Sequence, residues 1–355
     1  VAGTGSGAMG SGYGRHSAAQ HAGLQAATGL LDRALAAAPV PADDRAFRVA
    51  DLGCASGTNA MEPMARTVAA VRARRPGTPV WVTHTDIPAN DFGALFATLT
   101  GPSSYAQVPG VHACAQARSF FEPLFPPGEL HLAWSSIAVH WLSRVPLPVE
   151  GHIYGSRARG AARDALRERS ARDWDAFLGH RADELAPGGQ LVVVGGAATD
   201  DGLSGAEGLF DLAVAELDHL VDQGVLTGEQ VAAMTVPTWN RTTAEFTGPL
   251  RSGPFRDRFR LEEGEFVVLD DPMWERYTAD GDLEAYADEV AASFMAAFGP
   301  SLFSGIPESA ATAGRFAEGL TARVRDRPEE GAARWRVQLL RATRLGHSDG
   351  THAVA

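Results

Sequence analysis

Only two cysteines, Cys54 and Cys114, occur in the 355 residues. They are too few for a disulfide framework and lack the paired spacing of a zinc site. This scarcity suits a reducing interior, so a cytoplasmic location is expected. No apolar run approaches the length of a bilayer span, and the Gly-, Ser- and Ala-rich start, Val1 to Gly14, lacks the charged and apolar regions of a signal peptide. That start reads as a flexible tail. Basic charge is also short, with 31 Lys plus Arg against 43 Asp plus Glu, a net charge of −12. Such a surplus repels phosphate backbones and anionic membranes alike. Neither a nucleic acid nor a membrane is expected as a partner. In the one basic stretch, Ser156–Asp173, six arginines are interleaved with Asp164, Glu168 and Asp173 at helical spacings, which predicts a solvated helix rather than a polyanion site. Asp200-Asp201 and Asp270-Asp271 abut Gly202 and Pro272 and read as turns, so no catalytic metal is expected.

Apolar residues make up 45% of the chain, enough for a sizeable core in one large or two ordinary domains. Leu24–Ala38 is Ala- and Leu-rich and stops at Pro39, as a helix would. Strand-like segments follow at Phe47–Asp51, Val80–Thr85, Val111–Ala115, Leu130–Ser135 and Gln190–Gly195, with helical patterns such as Met61–Arg74 between several of them. This alternation predicts an α/β fold with a doubly wound, Rossmann-like parallel sheet. Beyond Gly202 the helix-like stretches Leu209–Gln223, Thr227–Met234 and Leu283–Phe298 dominate. Phe255–Leu269 and Trp335–Leu340 return to the sheet as late strands. The expected organisation is a tail and first helix over 1–40, then a core over 41–200 completed by 255–269 and 334–343. A helical cap of 201–254 and 270–333 is inserted into that core.

Directly after the first strand, Asp51-Leu52-Gly53-Cys54-Ala55-Ser56-Gly57 spaces its glycines more loosely than a dinucleotide loop. Gly53 and Gly57 let a ligand approach the backbone and the following helix N-terminus. The looser loop suits the phosphate-free amino-acid end of S-adenosylmethionine, where a pyrophosphate would want clustered amides. A tight turn without a ligand is the plain alternative. Asp86 closes the next strand, where a carboxylate can accept both ribose hydroxyls or cap a turn before Pro88. Ile87 beside it can pack on adenine.

The residues then resemble one family, the SABATH methyltransferases, nearly from end to end. The resemblance is carried by Tyr13 with Ser17 and Gln20, by DLGCASGTN at Asp51–Asn59 and by DIPANDFGALF at Asp86–Phe96. It continues through SFFEPLFP at Ser119–Pro126, WSSIAVHWLSRVP at Trp134–Pro146, Pro187–Val194 and Val236–Phe246. Ala55 and Ala89, where plant members usually have serine and glycine, suggest a bacterial-type member. The resemblance implies a class I methyltransferase fold with S-adenosyl-L-methionine as cofactor. Tyr13, Ser17, Asp51, Asn59, Asp86, Ile87, Ser119 and Phe120 would surround that cofactor. Ser135 and Ser136 would line the path to the acceptor, Tyr13–Gln20 would close over both ligands, and the cap would form the acceptor pocket. Asp51 can accept from an ammonium, Asn59 can bond a carboxylate and Phe120 can stack on adenine or serve as plain core.

In the family's carboxyl methylators, a glutamine near the N-terminus and a tryptophan after the fourth strand tether the acceptor, and this sequence offers Gln20 and Trp141. Neutral N–H donors hold a carboxylate without neutralising the charge that makes it a nucleophile. Trp141 would otherwise be core. His140 either faces the acceptor, tuning its choice, or is structural. The implied activity is O-methylation of a small-molecule acid by in-line displacement. N- or C-methylation of an indole- or purine-type ring, with His140, His21 or Tyr13 as base, is the alternative. A non-catalytic S-adenosylmethionine-binding protein is the third reading. Oligomeric state is open, a homodimer included.

Overall fold

The computed structural model describes residues 18–346, the side chains of 18–22 and 24–26 aside. One seven-stranded sheet has the order β3-β2-β1-β4-β5-β7-β6. Its strands are β1 Phe47–Leu52, β2 Val80–Asp86, β3 Val111–Ala117, β4 Leu130–Ser136, β5 Leu185–Gly196, β6 Phe259–Val268 and β7 Arg336–Arg344. The first five pair in parallel, whereas β7 runs antiparallel between β5 and β6. The sheet is therefore mixed, not wholly parallel. The expected strand from Phe255 starts only at Phe259, because Phe255 and Arg258 are tied up in turn hydrogen bonds.

Helices are α1 Ala18–Ala37, α2 Met61–Arg74, α3 Phe92–Thr100, α4 Gly160–Glu184, α5 Glu207–Asp222, α6 Gly228–Ala233 and α7 Thr243–Arg251. After β6 come α8 Pro272–Asp280, α9 Leu283–Phe303, α10 Ser309–Asp326 and the single turn α11 Pro328–Gly331. On α1, Ala27, Leu30, Leu31, Ala34, Leu35 and Ala38 are all buried. Their three- and four-residue spacing makes one stripe, which packs with Phe47, Val49, Val192 and Val194 on one face of the sheet. On the other face, Trp174, Phe177 and Leu178 of α4 cover Ala50, Leu52, Leu191 and Val193. With both faces covered, the Leu191–Val194 run is wholly apolar and fully buried. No helix among the described residues is long and apolar enough to cross a membrane.

A second core gathers Phe210 of α5, Phe294, Phe298 and Phe303 of α9 and Phe316 of α10. Helix α7 is not part of it. Phe246 and Leu250 of α7 are buried with Trp174 in the sheet's own core, the Phe246 and Trp174 rings lying 4.9 Å apart. The stretch expected to belong to the cap up to residue 254 thus partly serves the sheet, because its largest apolar side chain faces α4. Asp271 ties the cap to the last strand. It caps α8, accepting from Met273 and Trp274 N–H at 3.0 and 3.2 Å, and its other oxygen accepts from Ala333 N–H at 3.0 Å.

The chain has no lysine, and the cations that hold its buried loops are arginines. At the end of α4, Arg181 pairs with Glu184 at 2.8 Å, both essentially inaccessible. Arg181 also donates to Phe120 O at 3.1 Å, while Glu184 accepts from Leu124 and Phe125 N–H at 2.6 and 3.2 Å. The pair fixes the segment that follows β3. Removing one partner strands a buried charge, so Glu184→Ala should lower unfolding stability by about 3–5 kcal/mol. An unchanged denaturant midpoint would show the pair to be dispensable.

Candidate active site

In a parallel sheet, the crevice opens where neighbouring strands send their connections to opposite sides, at the strands' C-terminal ends. Here that place lies between β1 and β4, and a cavity of about 580 Å³ occupies it. Its walls are Asp51, Gly53, Cys54, Ala55 and Asn59 from β1 and its loop, and Asp86 and Ile87 from the end of β2. Ser119, Phe120, Phe121 and Glu122 follow β3, and Trp134, Ser136, Ile137, Ala138, Trp141, Leu142 and Ser143 come from β4 and its loop. Arg169, Asp173 and Ala176 of α4 close the far side.

The glycine loop is bound tightly to its neighbours. Gly53 has φ +86°, and a Cβ there would lie 2.5 Å from the Ala138 Cβ. Glycine is required for both conformation and approach. Ala55 is left-handed at φ 46° and is held from both sides. Its N–H donates to Asp86 Oδ2 at 2.7 Å, and its carbonyl accepts from Asn90 Nδ2 at 2.9 Å. Asp86 Oδ1 accepts from Ile87 N–H at 2.8 Å. Each Asp86 oxygen keeps a further lone pair, enough for two hydroxyls. Burial pushes the Asp86 carboxyl up to about 6, against its two backbone hydrogen bonds, with the Asp51 charge adding to the rise.

Most of the residues expected at a cofactor line this one cavity: Asp51, Gly53, Asn59, Asp86, Ile87, Ser119 and Phe120. Phe120 is also core, edge-on to Phe121 and Phe177 at 4.6 and 5.9 Å. Gly57 does not line the cavity. At φ +76°, with a Cβ position 2.5 Å from Leu95, it serves the turn into the next helix. Ser135 is corrected as well. Its hydroxyl donates to Leu52 O at 2.8 Å in full burial, and Ser136, pointing to the opposite side of the strand, reaches the cavity instead. Tyr13 and Ser17 lie outside the described residues, as do the side chains of Gln20 and His21.

Trp141 lines the cavity while its ring packs near Phe298 at 6.1 Å, and its Nε1–H is buried with no hydrogen-bond partner among the described residues. His140 does not line the cavity. Its ring sits over Gly196 of β5, Nδ1 has no partner among the described residues, and burial with the nearby Arg241 guanidinium pushes its pKa down to about 3. The expectation that His140 faces the acceptor or supplies a base is not met, since a neutral ring of that pKa is a poor base at pH 7. Arg241 itself is buried, donating to Val139 O at 2.7 Å and Ser170 O at 2.9 Å, with its guanidinium over the Trp174 and Phe246 rings at 5.3 and 5.7 Å. It staples the loop bearing Trp141 to α4.

The sequence reading missed Asn90 as a loop support, Trp134 as a wall, and Arg169 with Asp173. The two α4 residues were expected on a solvated helix. Asp173 instead accepts from Arg169 Nη2 at 2.6 Å and Ser143 N–H at 2.9 Å, its side chain only 1% exposed. The stripe Leu166, Ser170, Asp173, Trp174 and Phe177, at helical spacing and buried throughout, was the available signal.

Over residues 2–325 the chain matches the model of a family described as SAM dependent carboxyl methyltransferases. It is 28% identical over 256 residues to a salicylate carboxymethyltransferase of Clarkia breweri, covering 66% of each chain. It is 30% identical over 222 residues to a benzoic acid/salicylic acid carboxyl methyltransferase of Petunia hybrida, covering 56% of this chain and 60% of that one. The chain thus spans just under two thirds of the length of these curated relatives. A solved loganic acid methyltransferase with SAH superposes with a TM-score of 0.79 at 22% identity, covering 95% of this chain and 97% of that one, and so shares the fold. These relatives lend no support to the expectation of a bacterial-type member.

A carboxyl whose pKa is raised on folding costs stability in its charged form. The cost is absent below its usual value of 3.8 and grows as pH rises to about 6. Asp86→Asn should therefore gain on the parent protein between pH 4 and pH 7, by about 3 kcal/mol at most. Unfolding midpoints of both proteins at those two pH values check this, and a constant difference would place Asp86 in contact with solvent.

Proposed function

Because the chain belongs to the family of SAM-dependent carboxyl methyltransferases, whose cofactor is S-adenosyl-L-methionine, we propose that it methylates the carboxylate of a small-molecule acid to an ester. The observation that carries this reading is the buried Trp141 Nε1–H, without a partner among the described residues, in the wall of the cavity that also holds Asp51 and Asp86. A buried donor left unpaired costs about 1–3 kcal/mol, and an acceptor carboxylate relieves that cost.

The cavity suits the cofactor chemically. Asp51 is the acceptor for an ammonium, Asp86 has lone pairs for two ribose hydroxyls, and Asn59 is the group for a carboxylate. Phe120 and Ile87 offer apolar faces to adenine, and Gly53 leaves room that a side chain would fill. Two acids in a half-enclosed site also attract a cation. When bound, the cofactor supplies a methyl group on a sulfonium. The protein's part is to hold the acid's oxygen in line and to exclude water, an alignment worth up to roughly 7–11 kcal/mol in intramolecular analogues. Trp141 orients the carboxylate without taking its charge, and Arg241 orients Trp141. The acid is already ionised at pH 7, with a pKa of about 4, so no base is required. Gln20 is proposed as the second tether, and Tyr13–Gln20 as the segment that closes over both ligands. The helical cap is proposed to bound the acceptor side, with Phe298 of α9 beside the Trp141 ring in support.

Incubation with methyl-labelled S-adenosylmethionine and a panel of aromatic, terpenoid and aliphatic acids tests the proposal. A base-labile labelled product supports it, and a base-stable product would mark a nitrogen or carbon acceptor. With the true acid, Trp141→Phe should lower kcat/KM by about tenfold or more while leaving cofactor affinity within about twofold. Equal losses in both would assign Trp141 to the core alone.

A further inference from the structure

Beneath the cavity floor lies a buried chain of three polar side chains. In the β1–β2 pairing, Asp51 sits directly beside His84, and Tyr105 follows α3 in the short turn Tyr105–Gln107. His84 Nδ1 is 2.7 Å from Asp51 Oδ2, and His84 Nε2 is 2.5 Å from the Tyr105 hydroxyl. Asp51, His84 and Tyr105 are 4%, 0% and 3% exposed, so water does not compete for these bonds. A carboxylate can only accept, so Nδ1 carries the imidazole proton and donates it to Asp51. In the neutral imidazole Nε2 is then the acceptor, and Tyr105 donates to it. Burial, reinforced by the Asp51 charge, pushes the Tyr105 phenol far up and keeps that donor proton in place.

Cys54 lies close enough to Asp51 and His84 for the three to be considered as a metal cluster. The geometry speaks against it. Two ligands bound at about 2.0 Å to a tetrahedral ion stand more than 3 Å apart, whereas Nδ1 and Oδ2 are at hydrogen-bond distance.

We propose that His84, backed by Tyr105, is a positioning residue for the cofactor: it holds Asp51 Oδ2 so that Oδ1 is the oxygen presented to the ammonium group. The proposal rests on the reading of Asp51 as a cofactor ligand. Without the imidazole, the Asp51 side chain can rotate, its second oxygen is left unsatisfied in a dry site, and the ammonium meets a carboxylate that must first be ordered. The loss falls on cofactor affinity and not on the acceptor.

Calorimetric titration with S-adenosylhomocysteine tests this, with thermal midpoints recorded for every variant. His84→Leu should weaken binding by about tenfold or more, the scale of a hydrogen bond to a charged group. His84→Asn, whose amide nitrogen stands near the place of Nδ1, should stay within about threefold of the parent. In an Asp51→Asn background, His84→Leu should cost less than about twofold further, because the bond it removes already lacks its charged partner. Tyr105→Phe, which keeps the ring's volume, should weaken binding by about two- to fivefold, with the same loss of effect in the Asp51→Asn background. It decides the matter if His84→Leu does not fold. Weak binding by Asp51→Asn together with parental binding by His84→Leu would overturn the proposal alone, as would full additivity of the two changes. Parental binding by Asp51→Asn would overturn the reading of Asp51 and the proposal with it. Stoichiometric zinc in the purified protein would replace the hydrogen-bond chain with a metal site.

Discussion

The carboxylate of Asp86 joins the ends of two adjacent parallel strands. By accepting from Ala55 N–H it draws the loop after β1 against the end of β2, and by accepting from Ile87 N–H it orders its own loop. Ala55 is held in a left-handed conformation that costs a non-glycine residue about 1–2 kcal/mol. Hydrogen bonds to both its N–H and its carbonyl offset that cost. The third wall depends on the same loop, since Gly53 lets the loop after β4 come within contact through Ala138. Three strand ends thus converge on one cavity, and Asp86, the acid that joins two of them, is itself positioned by backbone N–H groups.

Around that cavity, buried polar groups are partnered in two distinct ways. Arg181 and Arg241 bond backbone carbonyls, lie over aromatic faces and, for Arg181, pair with a carboxylate, although the Nε of each has no partner among the described residues. Their role is to hold loops. Burial lowers the Arg241 pKa to about 10, which still leaves it charged at pH 7, so the staple persists across the physiological range. Trp141 differs in that the single donor of its ring, buried in the cavity wall, has no partner among the described residues. A protein keeps such a group at a cost, and the cost is explicable where a ligand supplies the missing acceptor.

The aromatic core of α5, α9 and α10 connects to the site through Trp141, whose ring lies near Phe298. Phe298 in turn contacts Phe210 and Phe294 at 5.1 and 5.2 Å. Rigid aromatic packing on one side and the Arg241 staple on the other leave the indole little freedom. Orientation of the Trp141 indole is therefore built into the fold.

Much of this was legible in the chain itself. The glycine loop, the acids closing β1 and β2 and the parallel strand run are local patterns, and local sterics place a carboxylate at a strand end whatever lies farther away. The likeness to a family located Trp141, which composition alone would have assigned to the core. Side-chain direction was not legible. Ser135 and Ser136 are chemically alike, and only the pleat of β4 turns one to Leu52 and the other to the cavity. His140 and Trp141 are neighbours, yet the loop's path puts the first over Gly196 and the second in the cavity wall. Trp239 and Phe246 lie within one stretch of the chain, but Phe246 packs under α4 and Trp239 lines a separate cavity of about 350 Å³. The chain Tyr105–His84–Asp51 spans 21 and then 33 positions, and it exists only because sheet register sets His84 beside Asp51. Sequence determined which groups stand at the strand ends, through local sterics. Tertiary structure decided which atoms of those groups face one another, because register and packing act between residues that are distant along the chain.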